Sequence, residues 1–199
     1  NEGVVDLKNG LARPVDPIEG IIGSSSPPVI VGETLIVGAA LAVGGRPPSP
    51  NNVPGHVRGF DVRTGKQSWI FHTIPTEGEV GNDTWEDDSW SYTGNAAVWA
   101  PFAVDADLGY VYLPVEGATG DYYGGHRLGD NLFSSSLVAL EIATGQRVWH
   151  YQIVHHDIWD YDNPTSPILV DIKVDGLEIP AVVQLTKQNF AYVFDRRNG

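Results

Sequence analysis

The densest group of side chains able to do chemistry lies at residues 155–164, in the sequence His-His-Asp-Ile-Trp-Asp-Tyr-Asp-Asn-Pro. Two adjacent histidines followed by three acids could form a metal site, an acid–base site or a solvated loop. Asp160 and Asp162 could both reach one ion, and Asn163-Pro164 makes a turn in this segment plausible. Oxygen ligands without any thiol suit Ca²⁺ or another hard cation better than zinc.

The elements that must position this cluster are predicted to be strands. Short runs rich in β-branched and aromatic residues recur along the chain, bounded by Gly, Pro, Asn and Asp, and no window of helix length keeps a 3.6-residue apolar period. With 23 glycines and 14 prolines, helices would be poorly supported. The fold class is therefore predicted to be all-β.

A sequence repeat indicates how the strands are arranged. Residues 59–69 recur as residues 139–149, and a third copy begins at Phe194. Each copy reads as a strand, an acid-x-x-(Thr or Asn)-Gly turn, and a strand that ends in Trp in the two complete copies. The acid can accept hydrogen bonds from turn amides, and the glycine supplies a positive φ, so the unit is predicted to be a hairpin. Its tryptophan is large enough to dock between sheets, and such repeats favour a β-propeller or another stacked array.

Phasing the strands around the repeat predicts three blades. The first two span about 26–72 and 99–152, the third spans 168–199 and is incomplete, and residues 1–25 are a lead-in from a preceding blade. Propellers have about four to eight blades, so the chain is expected to be part of a longer protein whose remaining blades are its neighbours. On this phasing the long connections share one face: residues 39–55, 73–94, 116–134 and 153–166, with the short connection at Lys187. Long loops on a rigid scaffold are the usual place for chemistry.

Composition excludes some classes of partner. The formal net charge of −13 argues against nucleic acid and anionic membranes, and would favour a cationic redox partner. Without cysteine there is no disulfide, thiolate metal site or haem attachment. No signal peptide or run of about 18 apolar residues is present, so any export signal is expected to be removed or to lie outside these residues.

Several short segments, taken in order, cover most of residues 20–199: Gly55–Asp61, Val98–Pro101, Tyr112–Pro114, Gly129–Phe133, His155–Asp162, and Thr186-Lys187 leading into Phe194-Asp195-Arg196. Together they resemble the PQQ-dependent (quinoprotein) dehydrogenases, on the side of the membrane glucose dehydrogenase group. The resemblance implies an eight-bladed propeller that works in the periplasm. It also implies PQQ with a cation on the axis, and oxidation of an alcohol, polyol or aldose.

The resemblance also implies roles for individual residues. Asp160 matches the catalytic base beside the cation, with an exposed loop aspartate as the alternative. Lys187 matches the cation that touches the quinone oxygens, with an ordinary surface lysine as the alternative. Trp99 matches the platform on which the PQQ ring stacks, with a core tryptophan as the alternative. Ser25 and Ser26 could reach the PQQ carboxylates, although turn chemistry explains them equally well.

The implied cation site departs from the family pattern. The asparagine expected after the Tyr-Leu-Pro strand is absent, so Glu116 becomes the candidate ligand, with Asp121 in reserve, beside Asp160 and Asp162. Residues 38–41 contain alanines where methanol-type relatives carry a glutamate ligand. Asp162 matches an acid that accompanies lanthanide use in some relatives, but glucose-type members also carry it, so Ca²⁺ is favoured.

The sequence leaves open which electron acceptor is used and whether the chain binds a cofactor at all. The electron acceptor could be a quinone pool or a separate cytochrome. The chain could also be a cofactor-free propeller that serves as an assembly scaffold, or an inactive fragment, although a scaffold has no need for Trp99, Asp160 and Lys187 on one face. His126 and Arg127 could border a substrate entrance.

Overall fold

Strands dominate the computed structural model, which describes residues 22–23, 25–41 and 52–199. The strands are β1 Ile22–Gly23, β2 Val29–Val31, β3 Thr34–Val37, β4 Ala40–Leu41, β5 Val57–Asp61, β6 Gln67–Phe71, β7 Ala103–Asp105, β8 Tyr110–Pro114, β9 Ser136–Glu141, β10 Arg147–Gln152, β11 Ile168–Val174, β12 Leu177–Leu185 and β13 Ala191–Asp195. The helices within these ranges are two short 3₁₀ segments, Asn82–Thr84 and Glu86–Ser91. The all-β prediction is confirmed.

Hydrogen bonding arranges the longer strands in three antiparallel sheets. The first has the order β2-β3-β5-β6, the second β7-β8-β9-β10 and the third β11-β12-β13, while β1 pairs with β4. In each of these three sheets, neighbouring strands are consecutive along the chain, except that β4 lies between β3 and β5 in the sequence and belongs to the pair with β1. Stacked meanders of this kind are the blades of a propeller.

The repeat predicted from the sequence extends to details of geometry. In the first copy the Asp61 carboxylate accepts hydrogen bonds from the amides of Arg63 and Thr64, at 3.0 and 2.7 Å. Gly65 has a φ of 67° and Gly145, at the same place in the second copy, has a φ of 70°. In both copies the strand pairing shifts by one residue just before the tryptophan, which is a β-bulge that redirects the side chain.

Each repeat tryptophan docks on the turn of the next repeat. Trp69 Nε1 donates to the carbonyl of Ile142 at 2.9 Å, and Trp149 Nε1 donates to the carbonyl of Arg196 at 3.2 Å. The indole of Trp69 covers Gly145 so closely that a Cβ there would lie 2.5 Å from its ring. The glycine therefore serves both the backbone conformation and the docking.

The apolar core fills the two spaces between the three sheets. One cluster joins the first and second sheets, and a second cluster, centred on Trp149, joins the second sheet to β12. Residues 137–140 of β9 are buried on both faces, which explains their unbroken apolar run. No helix among the described residues is long and apolar enough to cross a membrane.

The long connections predicted to share one face contact one another. The amide of Glu86 donates to the carbonyl of Leu128 at 3.0 Å, which joins segments 73–94 and 116–134. From the segment 39–55, of which residues 42–51 lie outside the described part, Asn52 donates to the side chains of Asn95 and Thr119 at 3.0 Å each. These loops cover the ends of the strands that lie opposite the repeat turns.

Candidate active site

An ion-pair cluster brings together three of the residues singled out in the sequence. Lys187 lies in the turn between β12 and β13, and its Nζ is 3.0 Å from Asp160 Oδ2 and 2.9 Å from Asp162 Oδ2. Both carboxylates therefore reach one cation. The chain turns at residues 157–161, before Asn163-Pro164 where the sequence suggested a turn.

That turn is organised by Asp157, a residue to which the sequence assigned no role. The buried Asp157 carboxylate accepts hydrogen bonds from the amides of Trp159 and Tyr161, each at 2.9 Å, and from Ser135 Oγ at 2.8 Å. Asp160 itself has a φ of 59°. A non-glycine residue in this left-handed region costs on the order of 1–3 kcal/mol, which the surrounding hydrogen bonds must offset.

Two further carboxyl groups crowd the cluster. Glu116 Oε1 accepts a hydrogen bond from the amide of Ala97 at 3.1 Å. Burial, followed by the charge of Asp162, raises the pKa of Glu116 from 4.5 to about 8. Burial, followed by the charges of Asp160 and Asp162, raises the pKa of Asp121 from 3.8 to about 6. Both predicted ligand candidates thus lie beside the Asp160 and Asp162 pair.

Asp162 connects the loop of Glu116 to Lys187. Its Oδ1 accepts a hydrogen bond from the amide of Gly117 at 2.7 Å, while its other oxygen faces Lys187. Burial raises the pKa of Asp162 even though both of these hydrogen bonds oppose the rise. The cluster therefore holds more negative charge than one ammonium group can offset.

Trp99, Ser25 and Ser26 form a neighbouring group. The hydroxyls of both serines donate to the carbonyl oxygen of Trp99, that of Ser25 at 3.3 Å. The amide of Glu116 donates to the carbonyl of Ala97 at 2.9 Å, so the segment that carries Trp99 runs beside the Glu116 loop. Within the part of the chain that the structure describes, no hydrogen bond or ring contact joins the Trp99 indole directly to Asp160 or Lys187.

The adjacent histidines face away from the carboxylates. His155 Nδ1 is 3.3 Å from Asp130 Oδ2 at the surface, and His156 Nδ1 is 2.9 Å from the carbonyl oxygen of Gly129. Both imidazoles therefore contact residues 129–130, which favours oxygen ligands alone for any cation near Asp160.

Of the two residues suggested to border an entrance, Arg127 cannot do so, because it has no exposed surface. His126 is partly exposed, and its Nε2 is 2.8 Å from the carbonyl oxygen of Thr119, so its place at an entrance stays a prediction. Both side chains contact the loop that carries Glu116 and Asp121.

The donor set fits a hard cation in its chemistry. Carboxylate oxygens are the ligands that Ca²⁺ prefers, and the carboxyl groups with raised pKa would lose their protons to solvent when a cation binds. Among the described residues, no three His, Cys, Asp or Glu side chains converge in a ready-made metal geometry. Lys187 instead bridges Asp160 and Asp162.

A comparison with known families decides the relationship. The family model described as PQQ, glucose/ethanol/alcohol dehydrogenase, beta-propeller domain, matches residues 1–199. The chain belongs to this family. Membership confirms the β-propeller class that the repeat predicted, and the three antiparallel sheets agree with it.

Relatives in the PQQ dehydrogenase family align over the whole chain. It is 36% identical over 201 residues to the quinoprotein glucose dehydrogenase of Escherichia coli (strain K12), a match that covers 100% of this chain and 24% of that protein. It is 33% identical over 208 residues to the glycerol dehydrogenase large subunit of Gluconobacter oxydans (strain 621H), covering 100% of this chain and 26% of that protein. The chain thus spans about a quarter of the length of these curated relatives.

Solved structures show the same fold. A quinohemoprotein alcohol dehydrogenase from Pseudomonas putida HK5 superposes with a TM-score of 0.79 at 32% identity, covering 89% of this chain and 27% of that one. A europium-containing methanol dehydrogenase superposes with a TM-score of 0.77 at 28% identity, covering 88% of this chain and 32% of that one.

Proposed function

We propose that this chain supplies part of the active site of a PQQ-dependent dehydrogenase that oxidises an alcohol, a polyol or an aldose. The observation that carries the proposal is the bridge from Lys187 to Asp160 and Asp162, which joins loops of neighbouring sheets on the face that bears the long connections. Family membership supports PQQ-linked oxidation in general, and the roles below are specific to these residues.

Asp160 is proposed as the base that takes the proton of the substrate hydroxyl. Its side chain is 30% exposed, so a small molecule can approach it, and a carboxylate within hydrogen-bond reach is the geometry that proton transfer requires. When bound, PQQ would accept the hydride from the carbinol carbon, and Ca²⁺ held by Asp160, Asp162 and Glu116 would act as a Lewis acid.

The Lys187 ammonium group is proposed to contact the quinone oxygens and to supply a positive charge beside them. Although partial burial opposes it, hydrogen bonding to Asp162 and Asp160 raises the pKa of Lys187, so the ammonium stays charged at neutral pH. A fixed cation at this place would stabilise charge that develops on the reduced cofactor.

Trp99 is proposed as the flat surface under the cofactor ring, with Ser25 and Ser26 as donors to its carboxylates. Each serine hydroxyl now donates to the Trp99 carbonyl, so it would have to rotate away to serve the cofactor. The periplasm is the proposed compartment. A quinone or a cytochrome is the proposed electron acceptor, and further blades are the proposed structural partners.

The test is reconstitution of the full-length protein with PQQ and Ca²⁺, followed by assays with alcohols, polyols and aldoses. Asp160→Asn is expected to keep the absorbance of bound PQQ and to lower kcat by about two to four orders of magnitude. Asparagine tolerates the left-handed φ at this position, so the turn should survive.

Asp130→Asn is the matched control, because Asp130 is exposed and pairs with His155 outside the cluster. It should leave kcat unchanged. Near-normal turnover in Asp160→Asn would remove Asp160 from the mechanism. A full-length protein that takes up no PQQ would instead favour the cofactor-free scaffold.

A further inference from the structure

A fully buried guanidinium lies directly behind the carboxylate cluster. Arg127 Nε donates to the carbonyl of Thr119 at 2.9 Å, and Nη1 donates to Asn131 Oδ1 at 2.8 Å. Nη2 donates to the carbonyl of Gly120 at 3.0 Å and also to the carbonyl of Asp157. Four donated hydrogen bonds therefore use most of the capacity of the guanidinium group.

The acceptors belong to the loops that carry the proposed site. Thr119 and Gly120 lie between Glu116 and Asp121, and the Asp157 carbonyl begins the turn that presents Asp160. The planar fork of one side chain thus sets the spacing between two main-chain segments, and each of these segments bears carboxylates of the cluster.

The charge of Arg127 is not used in a close ion pair. Within the described ranges no carboxylate lies within 4.0 Å of its nitrogens, and main-chain carbonyl dipoles surround it instead. Burial lowers the pKa of Arg127 to about 10, while the charges of Asp157 and Asp121 oppose the change, so the group remains protonated at neutral pH. Burying such a cation is costly, and a packed apolar side chain could fill the space at less cost.

We infer that Arg127 is a positioning residue, which fixes the Glu116–Asp121 loop against the Asp157–Asp162 turn and so sets the separation of the carboxylates. The inference deepens the proposed function, on which its kinetic part rests. Supporting groups of this kind matter because a displacement of about 1 Å at reacting groups can cost about 10²-fold in rate.

Arg127→Lys in the full-length protein, reconstituted with PQQ and Ca²⁺, is the first test. Lysine keeps the charge but cannot span the four acceptors. We expect kcat to fall about 10- to 100-fold, with KM changed less than about threefold and with weaker Ca²⁺ binding in calorimetry of the PQQ-free protein.

Arg196→Lys is the matched control, because Arg196 is also largely buried but donates to Asp105 Oδ2 at 2.6 Å and to Asp171 Oδ1 at 3.1 Å, beside the repeat turns and away from the carboxylate loops. It should change thermal stability without changing kcat or Ca²⁺ affinity. If both variants lose stability alike and Arg127→Lys keeps full kcat and Ca²⁺ affinity, Arg127 is only structural and the inference fails.

Hydrogen exchange gives a second readout that does not need an active enzyme. The amides of Trp159 and Tyr161 are held by the Asp157 carboxylate, so their exchange should accelerate more than about tenfold in Arg127→Lys, while amides in β9 stay protected. Unchanged exchange at these two amides would overturn the inference, whatever the wild-type protein does with PQQ. A wild type that exchanges as expected but shows no PQQ-linked activity would overturn only the proposed function.

If Arg127→Lys does not fold, Asn131→Gly serves in its place. It removes the one side-chain acceptor of Arg127, and glycine tolerates the left-handed φ of 59° at position 131. The same two amides should then exchange faster, by a smaller factor. Protection equal to that of the wild type would count against the positioning role.

Discussion

Replacing Glu116 by glutamine should stabilise the metal-free protein at pH 8 and have little effect at pH 5. Glutamine keeps the oxygen that accepts the Ala97 amide but cannot ionise. In the folded protein the pKa of Glu116 is raised to about 8 from an ordinary 4.5, first by burial and then by Asp162. Between these two values the unfolded chain releases a proton that the native state retains, so the free energy of unfolding falls as pH rises.

The size of the effect follows from the same two values. A rise from 4.5 to about 8 corresponds to about 5 kcal/mol, at about 1.4 kcal/mol for each pH unit. Part of the Glu116 surface reaches solvent, which weakens the effect, so about 2–4 kcal/mol is expected at pH 8. Below pH 4.5 both states are protonated and the penalty vanishes.

Urea unfolding in the presence of a chelator, at steps between pH 5 and pH 9, measures this difference. The gap between Glu116→Gln and the wild type should widen from pH 5 to pH 8 and then level off. Saturating Ca²⁺ should reverse the order at pH 8, because only the wild type keeps all three carboxylates that are proposed to hold the cation. A gap that does not depend on pH would show that Glu116 ionises normally, and the account of a crowded carboxylate cluster would be refuted.

Two further predictions concern the sheets. Gly145→Ala should destabilise the protein by about 1–3 kcal/mol more than Gly65→Ala in urea unfolding, because a Cβ at 145 would lie 2.5 Å from the Trp69 ring while a Cβ at 65 meets nothing within 4 Å. Both glycines have a similar positive φ, so equal losses would contradict the docking role. Burial lowers the pKa of His56 well below 6.5, so stability should be lost as pH falls below about 6.5, when only the unfolded chain gains the proton. His56→Gln should lessen that loss in urea midpoints between pH 7 and pH 5, and an unaltered loss would assign it to other groups.

The strands and turns were predictable because their signals are local. The acid and glycine of the repeat act within a few residues, as the Asp61 hydrogen bonds to Arg63 and Thr64 show. The tryptophan that closes each of the two complete copies was recognisable from its position alone, because a large side chain at the end of a repeated hairpin needs a neighbouring sheet to cover it.

The prediction that Asp160, Asp162 and Lys187 lie close together depended on the resemblance to a family and on the phasing of the blades. The roles of Asp157 and Arg127 could not be found in this way. An aspartate that accepts three hydrogen bonds and an arginine without surface look like ordinary loop residues in a sequence. Only the contacts between three separate loops, which are a property of the folded chain, tell them apart from solvated neighbours.

The repeat tryptophans have a consequence for how the sheets respond to changes in the Asp160 turn. Trp69 anchors the first sheet to the second near Ile142, just past the end of β9, whereas Ser135 and the Asp157 turn lie just before its beginning. The two ends of this six-residue strand are about 17 Å apart. Two of the contacts that hold neighbouring sheets together, those of Trp69 and Trp149, thus lie on the side opposite the Asp160 turn. A substitution in that turn should leave both docking contacts in place.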